Sequence, residues 1–124
     1  MFDHLTISVL NPEKSKAFYQ ELLAPLDIRI LYDENDAIGF GVDRPMFWIG
    51  KGDAEHPAST SVHIAFACQN NALVDTVYAA GLAAGGKENG APGLRPHYHE
   101  KYYGAFLLDP DGNNIEAVCQ HHDE

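Results

Sequence analysis

The chain has 124 residues, of which 45% are hydrophobic, and this is enough for one compact domain with a sizeable core. Its formal net charge of −10 disfavours contact with the phosphate backbone of nucleic acids and with anionic lipid surfaces. The apolar runs are far shorter than the roughly 20 residues of a membrane-spanning helix, and the segment MFDHLTISV lacks the pattern of a secretion signal. We therefore expect a cytoplasmic protein that binds neither nucleic acid nor a membrane.

The sequence contains two copies of one pattern at an offset of 59 residues. The segment DHLTISVLNPEKSKAFY (3–19) aligns with VHIAFACQNNALVDTVY (62–78), and this alignment places His4 on His63. Each copy begins with an alternation typical of a strand, with the histidine on the less apolar face. Each then continues with the four-residue spacing of an amphipathic helix. Two strand–helix modules are therefore predicted.

Local signals indicate where the two helices begin and end. Asn11 is predicted to cap the first helix, with Pro12 in its first turn, and Asn70 or Asn71 to cap the second. Pro25 is predicted to end the first helix and Gly81 the second. Short strand-like runs follow each helix: IRILY, AIGFGV and MFWIG in the first half, and YYGAFLL and NNIEAV in the second. The modules are thus expected at about 1–50 and 61–120, with the polar segment KGDAEHPAST (51–60) as linker.

Two segments of the second half carry candidate functional residues. In DPDGNNIEAV (109–118) a turn precedes a strand in which Glu116 lies opposite the apolar positions, so its carboxylate is either solvated or functional. The segment GGKENGAPGLRPHYHEK (85–101) is predicted to be irregular. It has the composition of a pocket rim, although an ordinary exposed loop with locally packed aromatics is an equal alternative. Its polar and aromatic residues, with those that follow it, are Arg95, His97, Tyr98, His99, Tyr102 and Tyr103.

Together these patterns resemble the vicinal oxygen chelate superfamily, which includes glyoxalase I, extradiol ring-cleaving dioxygenases, fosfomycin resistance proteins and bleomycin resistance proteins. The resemblance extends over essentially the whole chain. It implies an α+β fold of two tandem βαβββ modules whose mixed sheets curve to enclose a cavity. The segments that carry it are DHLTISV, NPEKSKAFYQELL, SVHIAFA and YYGAFLLDPDGNNIEAV.

The resemblance implies a metal site, because metal ligands of this superfamily occupy equivalent strand positions. Carried over to this sequence, the ligands are His4, His63 and Glu116. Two imidazoles and a carboxylate suit a divalent metal such as Fe, Mn, Zn, Ni or Co and leave coordination positions open. Glyoxalase I has a further ligand carboxylate where this chain has Trp48, which cannot accept a proton. A standard glyoxalase I mechanism is therefore not expected, and the pattern looks more like fosfomycin resistance proteins and the catalytic half of extradiol dioxygenases.

The first functional hypothesis is a metal-dependent enzyme with lyase, isomerase, transferase or dioxygenase chemistry on a small molecule that chelates the metal through vicinal oxygens. In that hypothesis His97 and His99 carry protons, Tyr102 or Tyr103 donates to an oxyanion, and Arg95 pairs with an anionic substrate. His56 and the terminal HHDE (121–124) receive no role.

Two alternatives remain open. One is a metal-free drug-binding or small-molecule-binding protein of the bleomycin resistance type, whose cleft is lined by Trp48, Tyr102 and Tyr103. The other is a noncatalytic regulatory or interaction domain. In every case a homodimer is expected, and the cavity is formed either within one chain or across the dimer, with His4 from one subunit and His63 and Glu116 from the other.

Overall fold

The structure is a computed structural model and describes residues 1–120. These residues form an α+β fold in which two α-helices and a short 3₁₀-helix accompany two mixed sheets, which confirms the predicted fold class. No helix among them is long and apolar enough to cross a membrane. The elements are β1 (Leu5–Val9), α1 (Pro12–Leu23), the 3₁₀-helix (Ala24–Leu26), β2 (Arg29–Glu34), β3 (Ala37–Gly41), β4 (Pro45–Lys51), β5 (His63–Ala67), α2 (Asn71–Ala83), β6 (Lys87–Glu88), β7 (Gly93–Leu94), β8 (Tyr103–Leu108) and β9 (Asn114–Cys119).

The two sheets repeat one pairing scheme. The first has the strand order β1-β4-β3-β2, and the second has the order β5-β9-β8-β6 with β7 also paired to β8. β1 pairs in parallel with β4 as β5 does with β9, so that Thr6 lies opposite Trp48 and Ala65 lies opposite Glu116. Since Thr6 and Ala65 are related by the offset of 59, the register places Trp48 and Glu116 at equivalent positions of the two modules.

Alternation along the strands separates a core face from a second face on each sheet. The core faces carry apolar residues that pack with the helices: Ile7, Val9, Phe40, Phe47, Ile49, Leu107, Ile115, Ala117 and Cys119 from the strands, and Phe18, Tyr19, Leu22, Leu23, Val74 and Val77 from α1 and α2. The intervening positions therefore point away from the helices. Among these are Trp48 and Glu116, together with His63 at the start of β5.

The predicted helix starts are confirmed. The side chains of Asn11 and Asn70 accept hydrogen bonds from the backbone N–H groups of Lys14 and Leu73, at 3.2 and 2.8 Å. The first helix ends at Leu23, and Pro25 lies in the 3₁₀-helix that follows.

The predicted end of the second helix at Gly81 is wrong, because α2 continues to Ala83. A Cβ atom at Gly81 would lie 2.3 Å from Cδ1 of Leu107, so this glycine allows close packing of the helix against β8. The helix ends instead before Gly85, whose φ of 101° is the left-handed conformation common after helix C-termini.

The segment 85–101 is more regular than the sequence suggests. Two-residue strands β6 and β7 pair with β8, with Glu88 opposite Leu107 and Leu94 opposite Tyr103. The many glycines and prolines hide these short pairings, because their propensities favour turns.

A buried hydrogen-bond network holds the turn before β9. The hydroxyl of Tyr19 donates to Asp109 at 2.5 Å, and the side-chain amide of Asn113 donates to Asp109 and to the carbonyl of Ser59. Asn113 also accepts from the backbone N–H of Val62 at 3.0 Å. Burial, followed by the nearby charge of Asp109, raises the pKa of Tyr19, so the phenol remains a donor. The network joins α1 and the segment that leads into β5 to the turn that precedes β9.

Candidate functional site

The centre of the candidate site is a contact between His63 and Glu116. The two residues lie on the neighbouring parallel strands β5 and β9, and Nε2 of His63 is 2.8 Å from Oε1 of Glu116. Glu116 is only 2% exposed, whereas the side chain of His63 is 53% exposed. The imidazole is therefore open to a ligand on one side and in contact with a buried carboxylate on the other.

The second oxygen of the same carboxylate is also engaged. The hydroxyl of Tyr102 donates a hydrogen bond to Oε2 of Glu116. Burial, followed by this hydrogen bond, raises the pKa of Tyr102, so the phenol keeps its proton. A Cβ atom at Gly104 would lie 3.1 Å from the Tyr102 ring and 3.2 Å from Oε2, and this glycine therefore leaves the room that the contact needs.

A pocket of about 460 Å³ opens beside His63, at the start of β1 and β5. The rings of Phe47 and Phe66 meet edge to face at its wall, with their centroids 5.7 Å apart. The lining is mainly apolar with few polar groups, as is common for small-molecule sites. It consists of Met1, Phe2, Asp3, His4, Leu5, Met46, Phe47, Val62, His63, Ile64, Ala65 and Phe66.

His4 lines this pocket but does not join the contact between His63 and Glu116. Its Nδ1 lies 2.8 Å from the carboxylate of Asp3, to which Arg44 donates at 3.2 Å. The hydrogen bond with His4, followed by the charge of Arg44, lowers the pKa of Asp3. Residues 1–120 contain no group of three His, Cys, Asp or Glu side chains placed to hold a metal ion. Imidazole and carboxylate groups are suitable ligands for a divalent metal. Within one chain, however, only His63 and Glu116 of the three predicted ligands are in contact, and His4 lies apart from them.

The equivalent position of the first module has an aromatic surface. Trp48 lies with its ring centroid 5.2 Å from that of Tyr32. A Cβ atom at Gly39 would lie 3.0 Å from the indole, so the small residue opposite leaves space for the ring. Neither Gly39 nor Tyr32 was among the predicted site residues, although the alternation in AIGFGV places Gly39 between core positions.

The loop before β8 is held by Arg95. Its guanidinium donates to the carbonyls of Ala91 and Gly93 at 2.8 and 2.9 Å and lies 5.5 Å from the centre of the Phe106 ring. These contacts give Arg95 a role in the shape of the loop. Whether it also pairs with an anionic substrate stays a prediction.

Of the two predicted proton carriers, His97 lies in a row of aromatic side chains that leads to the site. Its ring centroid is 4.2 Å from that of Tyr98, which in turn is 5.0 Å from that of Tyr102. His99 accepts a hydrogen bond from the backbone N–H of Lys101 at 3.1 Å. Tyr102, at the end of this row, donates its hydroxyl hydrogen bond to Glu116.

Of the two tyrosines offered as alternative donors, Tyr102 contacts Glu116, whereas Tyr103 lies on the other face of the sheet. Its hydroxyl donates to Asp75 of α2 at 2.7 Å, and this hydrogen bond, followed by burial, raises its pKa. Successive residues of a strand point to opposite faces, so neighbouring tyrosines at the start of β8 have different partners.

Comparison with known proteins gives a match over nearly the whole chain. The sequence model of the Glyoxalase/Bleomycin resistance protein/Dioxygenase superfamily matches residues 1–117. No curated protein matches the sequence.

Solved structures of similar fold cover almost the full length. A glyoxalase/bleomycin resistance protein from Albidiferax ferrireducens is 34% identical, with a TM-score of 0.85 over 96% of this chain and 98% of the other. The fosfomycin resistance protein FosX from Listeria monocytogenes is 20% identical, with a TM-score of 0.72 over 99% and 95% of the two chains. Lactoylglutathione lyase from Agrobacterium tumefaciens is 18% identical, with a TM-score of 0.71 over 96% and 92%. The last two likenesses concern the fold alone.

Proposed function

Because the chain belongs to the glyoxalase/bleomycin resistance protein/dioxygenase superfamily, we propose that it is a metal-dependent enzyme acting on a small molecule with vicinal oxygens. The observation that supports this is the contact between exposed His63 and buried Glu116. Within residues 1–120 the carboxylate meets an imidazole and a phenol, and no lysine or arginine forms an ion pair with it. Burying a carboxylate is costly without a strong partner, and this cost favours a functional reason for the position of Glu116.

In this proposal His63, Glu116 and His4 would hold the metal. When bound, the metal would act as a Lewis acid toward the two substrate oxygens and the negative charge that develops on them. Trp48 offers no second carboxylate, so the proposed chemistry is a lyase, transferase or dioxygenase reaction, or an isomerisation whose base is another group. His97 is the candidate proton carrier, because its aromatic contacts lead through Tyr98 to the site.

We further propose that a homodimer completes the site, with His4 of one chain next to His63 and Glu116 of the other. β1 and β5 lie at the ends of the two sheets formed by residues 1–120, so each has an edge near the pocket. The apolar side chains Met1, Phe2 and Met46 are exposed around that pocket. A second copy that covers them would remove apolar surface from water and bring a further histidine to the site.

Metal content is the decisive measurement. Protein purified without an affinity tag or chelator is expected to contain, or to take up from Fe, Mn, Co, Ni or Zn solutions, about one metal ion per chain. His63→Ala should abolish that uptake, because it removes an imidazole ligand. His56→Ala is the matched control, since His56 is an exposed histidine of the linker. A wild-type protein with less than about a tenth of a metal per chain and no uptake from any of these solutions would exclude the metal-dependent function.

A metal-free binding protein is the second candidate. It is favoured by the mainly apolar pocket, by the aromatic pair of Trp48 and Tyr32, and by the separation of His4 from His63 and Glu116 within one chain. The net charge of −10 would suit a cationic ligand. Because Trp48 is the single tryptophan of the chain, its fluorescence can follow a titration of chelator-treated protein with bleomycin or other cationic aromatic drugs. Saturable quenching that is unchanged in Glu116→Gln would favour this candidate.

A further inference from the structure

Glu116 needs a second partner to hold its carboxylate in one orientation. The terminal torsion of a glutamate side chain is broad and nearly two-fold, so one contact leaves the carboxylate free to rotate. In this chain the two oxygens have separate partners, with His63 at Oε1 and the hydroxyl of Tyr102 at Oε2. A carboxylate held at both oxygens presents a defined lone pair to anything bound beside His63.

We propose that Tyr102 is a positioning residue that fixes the carboxylate of Glu116 and leaves only Oε1 for the imidazole or for a metal. The part of this inference that concerns a metal rests on the proposed function, whereas the orientation of Glu116 in the metal-free protein does not. With Oε2 hydrogen-bonded to the phenol, Glu116 would offer a bound metal the negative charge of its carboxylate through Oε1.

Both backbone groups of Tyr102 are hydrogen-bonded within the loop. The N–H of Tyr102 donates to the carbonyl of His99 at 3.0 Å, and its own carbonyl accepts from the N–H of Arg95 at 2.7 Å. The Arg95 guanidinium in turn bonds to two carbonyls of the preceding segment. The Tyr102 hydroxyl is therefore carried by a loop that hydrogen bonds within the chain hold in place, and no bound ligand is needed to position it.

Gly104 is a second, independent sign of this arrangement. A side chain at Gly104 would be close to both the Tyr102 ring and Oε2 of Glu116. Its backbone pairs with Val118 in the regular register of β8 and β9, and its φ is not positive. The absent side chain therefore serves the contact between Tyr102 and Glu116, since the backbone conformation does not require a glycine here.

The first test uses chelator-treated protein and needs no metal. Long-range ¹H–¹⁵N spectra report the two ring nitrogens of each histidine, and the peaks missing in His63→Ala identify those of His63. Tyr102→Phe is expected to shift these peaks toward the positions found in Glu116→Gln, because the carboxylate loses its fixed orientation. Tyr103→Phe is the matched control: its hydroxyl bonds to Asp75 on the other face, so the His63 peaks should remain in place.

Gly104→Ala is a second variant that reaches the same contact by another route. Its methyl group should displace the phenol or the carboxylate and shift the same His63 peaks. Peaks of His63 in Tyr102→Phe and Gly104→Ala that coincide with those of the wild type would overturn the inference.

The second test measures metal affinity by competition with a chromophoric chelator. Tyr102→Phe is expected to bind metal about 10-fold more weakly than wild type, the effect usual for a lost hydrogen bond to a ligand, and Tyr103→Phe should be unchanged. The two proposals fail differently. Shifted His63 peaks in Tyr102→Phe, together with a wild-type protein that binds no metal, would support the role of Tyr102 and exclude the metal. Unchanged metal affinity in Tyr102→Phe, with unshifted peaks, would exclude the role of Tyr102 alone.

Discussion

The two modules use one backbone register to place very different side chains at equivalent positions. In the first, Trp48 lies opposite Thr6 and contacts Tyr32. In the second, Glu116 lies opposite Ala65 and contacts His63 and Tyr102. The pairing of strands is the same, so the difference in chemistry comes from the side chains alone. Repetition of the module thus provides equivalent backbone positions, and the side chain at each position can differ without a change in strand pairing.

The surroundings of each residue match its chemistry. Trp48 is accommodated by the missing side chain of Gly39 and by an aromatic neighbour, which favours contact with an apolar or planar ligand. Glu116 is accommodated by the missing side chain of Gly104 and by two polar neighbours, which compensate for the burial of its carboxylate. At this position the first module therefore presents an aromatic surface, and the second presents a carboxylate in contact with an imidazole and a phenol.

The largest expected effect is a difference in metal affinity between substitutions of the two equivalent residues, Glu116 and Trp48. Glu116→Gln is expected to weaken metal binding on the order of 100-fold or more, because an amide lacks the charge of a carboxylate ligand. Trp48→Phe keeps an aromatic ring at the matching position and should leave metal affinity unchanged. Competition with a chromophoric chelator measures both. Equal losses of metal affinity in Glu116→Gln and Trp48→Phe would mean that Glu116 contributes no more to metal binding than Trp48 does.

Mixed dimers test which chains supply the ligands of one site. When His4→Ala and Glu116→Gln chains are unfolded together and refolded, mixed dimers are formed. If the site spans the dimer, one of its two sites has His4 from one chain and Glu116 from the other and is fully wild type. About half of the metal sites of each mixed dimer should then return. Metal analysis of dimers separated by two different affinity tags measures this, and no recovery would place all three ligands within one chain.

Much of the fold could be predicted because it depends on local rules. Alternation, helix caps and the repeat offset identified the strands, α1 and α2, since these patterns describe neighbouring residues. Gly81 was misinterpreted because its role is close packing against Leu107, a residue of another element. The short strands β6 and β7 were missed for a similar reason, because pairing with β8 stabilises them against their own propensities.

The candidate site was predictable in part. The faces on which His63 and Glu116 lie followed from the alternation of β5 and β9, whereas their meeting at one site was implied by the resemblance to the superfamily. The hydrogen-bond partners of Tyr102 and Tyr103 could not be predicted, because the two side chains are chemically identical. Which of them faces Glu116 depends on the register of β8. Whether His4 meets the other two residues depends on how the modules or two chains pair, and no local pattern reports that arrangement.

The smallest effect concerns the hairpins that present the two residues. In the first module the turn requires Gly41, where a Cβ atom would lie 1.8 Å from the carbonyl oxygen of Arg44. In the second module the turn is held by side chains, with the buried hydroxyl of Tyr19 donating to Asp109. Tyr19→Phe leaves a buried carboxylate oxygen short of a donor and is expected to lower the free energy of unfolding by about 1–3 kcal/mol.

Urea unfolding followed by circular dichroism measures this loss, with Tyr32→Phe as control because Tyr32 is partly exposed. Since Asp109 also accepts the N–H of Asn113 at 2.9 Å, three residues before Glu116, the same substitution should loosen the start of β9. Faster amide hydrogen exchange in β9 than in β4 of the variant would show that the side-chain network holds the second hairpin. A variant as stable as wild type would instead mean that strand pairing positions Glu116 without help from this side-chain network.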